Sequence, residues 1–350
     1  MEIYPQPQRI QSVDVVRIIA IFAVIIIHTM PFPDRDIYLG KDFTLGNVLN
    51  QIARFAVPFF FVISGYFWGS KINARISLFD TTKKIAKKII LIFLAWSVIY
   101  LLPTNFVDPI RYGSISPVKA AYLNLTGLSL HPMTTIMQGS KDHLWFMISL
   151  LCSLGISAIF IARGMRKSLI GLSAMLYVTG LLGKAYADTP IGFHTEFDLR
   201  NGPFFGLIFF VTGYLLSQSK KRNSWLMLGS LSAIFGLLMH FAEISVLRAI
   251  WNTSVLQDYV IGTYFMGVGV ALIGLSDPAF LKSDRFSRIG PLVLGIYAIH
   301  FLFVDMLRPL ERVMGGSIWW GFAYPITVFV LSLTSTYAMS RIRGVKAIVA

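Results

Sequence analysis

The chain has 350 residues, of which 55% are hydrophobic and 14% charged, and its mean hydropathy is +0.67. Soluble domains carry about 25% charged residues, so the composition leaves too little water-facing surface for a soluble globular protein. The formal charge of +14 sits in short basic clusters between apolar runs. That is a membrane-topology pattern and makes no case for a nucleic-acid partner.

A membrane span takes about 20 mostly apolar residues. Ten stretches are read as spans, at about 12–31, 46–68, 85–103, 143–162, 168–186, 202–217, 225–241, 258–275, 289–307 and 318–340. The first holds three ionisable residues, Asp14, Arg17 and His28. Asp14 and Arg17 are spaced i,i+3, as a helical ion pair requires. Arg17 and His28 lie about 20° apart around the helix and about 16 Å apart along it, which gives the span one polar stripe. Histidine suits general-base work because its pKa lies near neutrality. The plain alternative is that Asp14 and Arg17 anchor the helix at one interface and His28 at the other. No small-residue cleavage signal follows Val13–Met30, so the run is read as a span and not as a leader.

Arg54 lies inside the second span, with Pro58 four residues on. Proline removes the backbone hydrogen bond to the Arg54 carbonyl, which predicts a kink beside a buried cation. Such a place is expected to line a polar cavity; the alternative is an arginine paired with a carboxylate elsewhere. Lys83, Lys84, Lys87 and Lys88 open the third span as two i,i+4 pairs, with Lys71 and Arg75 nearby. They form either a lipid-headgroup anchor or a phosphate site for a nucleotide-bearing cofactor.

The outer segment at about 104–142 carries Pro109, Pro117 and Pro132 and is expected to fold over the outer face, with a short interfacial helix near Val118–Leu125. His143 and Trp145 begin the fourth span, and His300 sits in the ninth. Taken singly, these are ordinary interfacial and packing residues, although His300 could reach a shared cavity. His131, His194 and His240 show no ligand spacing, and no metal or nucleotide motif is present. Cys152 is the single cysteine, so no internal disulfide is possible, and it is read as a packing residue.

Charge alternation fits ten helices with both termini cytoplasmic. The clusters Lys71–Lys88, Arg163–Lys167, Lys220–Arg222, Lys282–Arg288 and Arg341–Lys346 then fall inside. Asp34, Asp36, Asp108, Asp142, Asp188, Asp198, Glu243 and Asp258 fall outside. The expected fold is an all-α membrane bundle forming one domain over residues 1–350.

Five blocks together resemble one family. The first span reads R-I-Q-S-V-D-V-V-R-I-I-A-I-F-A-V-I-I-I-H, and the second A-R-F-A-V-P-F-F-F-V-I-S-G-Y-F. The fourth opens H-L-W-F-M, the sixth contains F-F-V-T-G-Y-L-L, and the ninth reads L-G-I-Y-A-I-H. In this order they resemble the acyltransferase family 3 membrane proteins, which O-acylate cell-surface carbohydrates and related acceptors.

The resemblance implies an acyl-CoA donor, with acetyl-CoA the expected one. The acceptor would be a hydroxyl of a surface polysaccharide or lipid-linked sugar, in a multi-pass protein of the bacterial inner membrane. His28 would activate that hydroxyl or carry the acyl group. Arg17 and Asp14 would orient His28 or stabilise charge, and Arg54 would neutralise a developing oxyanion. Lys83, Lys84, Lys87 and Lys88 would meet the phosphates of the donor, while His143, Trp145 and His300 would face the acceptor. Family members often carry arginines where this chain has those lysines, so bidentate phosphate binding is not expected. The hydrolase-like domain appended to some members has no counterpart here, which implies the stand-alone form. The rivals are a transporter or flippase, which should show repeats or paired broken helices, and a non-catalytic scaffold.

Overall fold

The computed structural model describes residues 9–32, 37–39, 42–74, 76–102, 117–219 and 224–349. The described residues form α-helices and short 3-10 turns, with one isolated bridge, Tyr38 to Thr44, and no strand. The α-helices are α1 (Gln11–Thr29), α2 (Leu45–Ile52), α3 (Ala56–Asn73), α4 (Leu78–Ile99), α5 (Pro117–Leu130), α6 (Pro132–Gln138) and α7 (Trp145–Ala162). They continue with α8 (Arg166–Leu182), α9 (Pro203–Ser217), α10 (Trp225–Trp251), α11 (Ile261–Ser276), α12 (Asp284–Ser287), α13 (Val293–Met314) and α14 (Ile318–Ser340).

Helix underlies each of the ten stretches read as spans. Six helical segments among the described residues are long and apolar enough to cross a membrane: Gln11–Thr29, Leu45–Asn73, Asp142–Ala162, Trp225–Trp251, Asp284–Met314 and Ile318–Ser340. Helices α9 and α11 are apolar but shorter. Helix α4 carries the four lysines, and α8 has only 17 residues. The protein is therefore an all-helical, multi-pass membrane protein. Arg75, Lys220–Arg222, Asp34, Asp36, Asp108 and Pro109 lie outside the described residues.

The kink expected in the second span is present, and the seventh span is longer than the sequence reading, each for a clear reason. The second span is two helices joined by a 3-10 turn at Ala53–Phe55, where Pro58 leaves the Arg54 carbonyl without its α-helical donor. Helix α10 runs ten residues beyond the expected end at Phe241, because Glu243 has a use inside the protein. Its carboxylate accepts the N–H groups of Ile261 and Gly262 at 3.0 and 3.1 Å, capping α11, and also accepts the Tyr186 hydroxyl. Asn252, at a φ of 53°, then ends α10.

The expected interfacial helix is longer than predicted. It comprises α5, whose Val118, Tyr122 and Leu130 are exposed, followed by α6.

The chain divides into two compact units. The first comprises Met1–Ala20, Arg54–Lys87 and Ile148–Gly290, and the second Ile21–Ala53, Lys88–Met147 and Pro291–Ala350. Small residues set the packing of the first, as expected where lipid provides no hydrophobic drive between helices. A Cβ at Gly65 of α3 would collide with the Phe210 carbonyl of α9, and one at Gly213 of α9 with the Val62 carbonyl of α3. Helices α10 and α11 meet similarly: a Cβ at Gly236 would strike the backbone of Met266, and one at Gly262 the backbone of His240.

In the second unit, α13 approaches α14 at Gly295, beside Thr336. Phe22 packs edge-on against Phe329 at 5.7 Å, and the Trp96 indole donates to the Ile348 carbonyl at 2.9 Å.

Candidate active site

Three histidines come together in the second unit. His28 lies in the last turn of α1, His143 just before α7 and His300 in α13. The ring centres of His28 and His300 are 5.3 Å apart, those of His143 and His300 5.0 Å, and those of His28 and His143 6.4 Å. Phe301 sits among them, stacked on His143 at 4.7 Å and 4.8 Å from His28. His143 and His300 are buried, whereas His28 is partly exposed. The cluster therefore has a buried interior, and His28 is its accessible member.

The local sequence explains this arrangement. Tyr297 precedes His300 by just under one turn, and its carbonyl accepts from His300 Nδ1 at 2.6 Å. The Ala298 carbonyl accepts from His143 Nε2 at 3.4 Å and from the Tyr100 hydroxyl at 2.7 Å. The Tyr297 hydroxyl donates to the His143 carbonyl, tying α13 to the start of α7. Lys141 lies over the face of Phe301 at 5.2 Å and pairs with Asp305, which also accepts from Arg308 at 3.0 Å. Trp145 is buried at the first turn of α7. Among the described residues, no group of three His, Cys, Asp or Glu is placed to hold a metal ion.

The first unit contains a cavity of about 200 Å³ lined by Arg17, Lys71, Phe67, Trp68 and Phe210, among others. Arg17 stacks over Phe67 at 5.2 Å and pairs with Asp14 at 2.9 Å. Asp14 is buried and is shared with Arg9 at 2.6 Å, so it neutralises two cations. No carboxylate pairs with Lys71 among the described residues. The cavity thus joins apolar aromatic walls to one unneutralised ammonium and one part-neutralised guanidinium, which suits a ligand with an anionic end and an apolar arm.

A fold and a histidine cluster alone do not name a chemistry, and the comparison with known families does. Residues 10–341 match a family model described as an acyltransferase domain. The chain belongs to acyltransferase family 3.

Curated relatives of this acyltransferase-family chain carry other names. One is a serine/alanine racemase of Enterococcus gallinarum, 32% identical over 260 residues, which are 66% of this chain and 33% of the relative. Another is an amino-acid racemase of Enterococcus faecalis, 29% identical over 324 residues, which are 87% of this chain and 42% of the relative. The chain thus spans about a third to two-fifths of the length of these relatives. No solved structure matches it significantly.

The remaining site residues named from the sequence fall elsewhere in this acyltransferase domain. Arg54 pairs with Asp258 at 3.0 Å in a network where Lys184 bridges Asp258 at 2.9 Å and Asp198 at 3.1 Å. Arg200 joins at 3.4 Å from Asp198. Asp258 lies in the loop before α11. Burial works to raise its carboxyl, but Arg200, Arg54 and Lys184 outweigh that and hold it below the usual carboxylate range. Asp258→Asn should lower stability by about 3 kcal/mol, because three cations lose their shared anion. Thermal unfolding in detergent would show this as a lowered midpoint, with Asp188→Asn, a largely exposed position, as the control.

Lys83, Lys84, Lys87 and Lys88 lie on the exposed face of α4, while Ile85 lines the cavity. The sequence alone does not single out Lys71 as a cavity cation, nor Phe301, Tyr100, Lys141 and Asp305 around the histidines. Lys71 is close enough in sequence to the lysines of α4 to read as one of their cluster. Phe301 carries a signal, since it adjoins His300 in the L-G-I-Y-A-I-H block.

Proposed function

We propose that the protein is an acyl-CoA-dependent O-acyltransferase of the bacterial inner membrane, built of ten spans with both termini in the cytoplasm. It passes an acyl group, with acetyl the leading candidate, to a hydroxyl of a surface polysaccharide or lipid-linked sugar. The observation that carries this reading is the histidine cluster, where one accessible imidazole is backed by two buried ones in a chain of the acyltransferase family.

In this mechanism His28 takes the proton of the acceptor hydroxyl as that oxygen bonds to the acyl carbon. The carbon–sulfur bond breaks, and the CoA thiolate leaves with a proton returned from His28. An acyl-histidine intermediate would use the same side chain. Arg17 and Lys71 hold the anionic part of the donor, and Phe67 and Trp68 flank its pantetheine arm. The exposed lysines of α4 are available to the outlying phosphate. His143, Trp145 and His300 shape the acceptor side. Arg54, held by Asp258, supports the loops.

Lys71→Ala should raise the KM for acetyl-CoA about tenfold and leave kcat nearly unchanged, as loss of one charge-assisted contact predicts. An unchanged KM would remove Lys71 from the donor site.

The names of the relatives supply a second reading, in which the protein recognises or carries a small amino acid. Binding of labelled acetyl-CoA to the full chain in lipid nanodiscs, with serine and alanine as competitors, separates the two. The acyltransferase reading expects saturable acetyl-CoA binding that neither amino acid displaces. Saturable serine or alanine binding without acetyl-CoA binding would replace it with the second.

A further inference from the structure

Two buried side-chain nitrogens of the histidine cluster make no hydrogen bond among the described residues: Nδ1 of His143 and Nε2 of His300. In each ring the other nitrogen faces a carbonyl, so the proton must sit there. For His300 that bond is Nδ1 to the Tyr297 carbonyl at 2.6 Å, and it fixes the tautomer with a bare lone pair on Nε2. For His143 it is the longer contact from Nε2 to the Ala298 carbonyl at 3.4 Å. Buried acceptors without donors are destabilising, and native proteins retain few of them. Two in one cluster, beside a partly exposed histidine, call for a chemical reason.

We infer that His300 is a positioning residue that acts through His28, accepting the proton His28 gathers during acyl transfer; the inference rests on the acyltransferase reading of this cluster. The ring separation of 5.3 Å, with no direct hydrogen bond to Nε2 of His300, leaves room for a bridge through a single water. In the forward step the acceptor O–H bond breaks, and its proton goes to one nitrogen of His28. The opposite nitrogen of His28 passes a proton to Nε2 of His300. The hydroxyl oxygen bonds to the acyl carbon, the carbon–sulfur bond breaks, and the leaving thiolate recovers a proton by the reverse path. Both histidines return neutral, and no further reactant is needed.

The charged and titratable groups facing His300 would tune this transfer. Against its ring lie Tyr297 of α13, His143 ahead of α7 and His28 of α1. One layer further lie Tyr100 after α4, against His143, and Lys141 over Phe301, paired with Asp305, which also pairs with Arg308. Lys141 disfavours a cation in the cluster, and Asp305 offsets that by pairing with it. His300 therefore serves as a brief proton holder and not as a permanent cation.

The test uses the full chain in nanodiscs, labelled with ¹⁵N-histidine, as wild type, His300→Gln and His300→Asn. The ring of His28 should titrate with His300 as a coupled pair, and its midpoint should move by about one pH unit in both variants. A midpoint that does not move would overturn the relay, whether or not the protein turns over. In acetyl-CoA turnover, both variants should lose about 100-fold in kcat with the donor KM kept, and the pH profile should lose one limb. Wild-type turnover with an unaltered variant profile would overturn the relay and leave the acyltransferase reading intact. A wild type that neither binds nor cleaves acetyl-CoA would remove that reading, and the titration would still decide whether the two rings share a proton.

Discussion

His28→Ala is expected to lower acyl transfer from acetyl-CoA by about 10³-fold, within the range for loss of a general base. His28 is the partly exposed member of its cluster, so it is the imidazole that can touch a substrate. The substitution leaves the helix intact, because alanine is the best helix former. The remaining contacts of the cluster, from His143 to Phe301 and from His300 to Tyr297, do not involve His28. Donor binding in the first unit should persist at wild-type affinity. The measurement is CoA release by His28→Ala beside equilibrium binding of acetyl-CoA. Retained turnover would move catalysis away from His28, and lost binding would mean that the substitution had damaged the fold.

One methyl group is expected to cost as much stability as the loss of the Asp258 charge. Gly213→Ala places a Cβ against the Val62 carbonyl of α3, where the obstruction is backbone and cannot rotate away. Overpacking of this kind reaches about 3 kcal/mol, because the two helices must separate along their contact. Gly155→Ala in α7 is the matched control, since a Cβ added there would meet nothing within 4 Å. It should be neutral, or stabilising by up to about 1 kcal/mol through helix propensity. Thermal unfolding in one detergent compares the two directly. Equal midpoints would show that α3 and α9 are not packed at these glycines.

Much of this architecture is legible in the residues, because apolar length and charge alternation report on a lipid environment directly. The break in the second span follows from Pro58, and the two S-G-Y and T-G-Y blocks, at Ser64–Tyr66 and Thr212–Tyr214, mark the reciprocal glycine contact between α3 and α9.

Other features are hidden because they depend on contacts distant in sequence. Glu243 looks like a loop acid, and only its capping of α11 explains a charge inside a long helix. Arg54 looks like a cavity cation until Asp258, 204 positions away, is seen against it. Asp14 and Arg17 do form the i,i+3 pair, yet Arg17 lines a cavity together with Lys71. His143 and His300 are unremarkable one at a time. Their meaning lies in Phe301 and in the two carbonyls of α13 that turn both rings toward the same cluster.

The most direct test of the account is CoA release from labelled acetyl-CoA by the full chain in lipid nanodiscs, supplied with a lipid-linked oligosaccharide acceptor. The account predicts saturable binding, stoichiometric release of free CoA with transfer of label to the acceptor, and loss of both release and transfer in His28→Ala. Saturable binding and turnover by His28→Ala at the wild-type rate, or no binding and no release by the wild type, would contradict it.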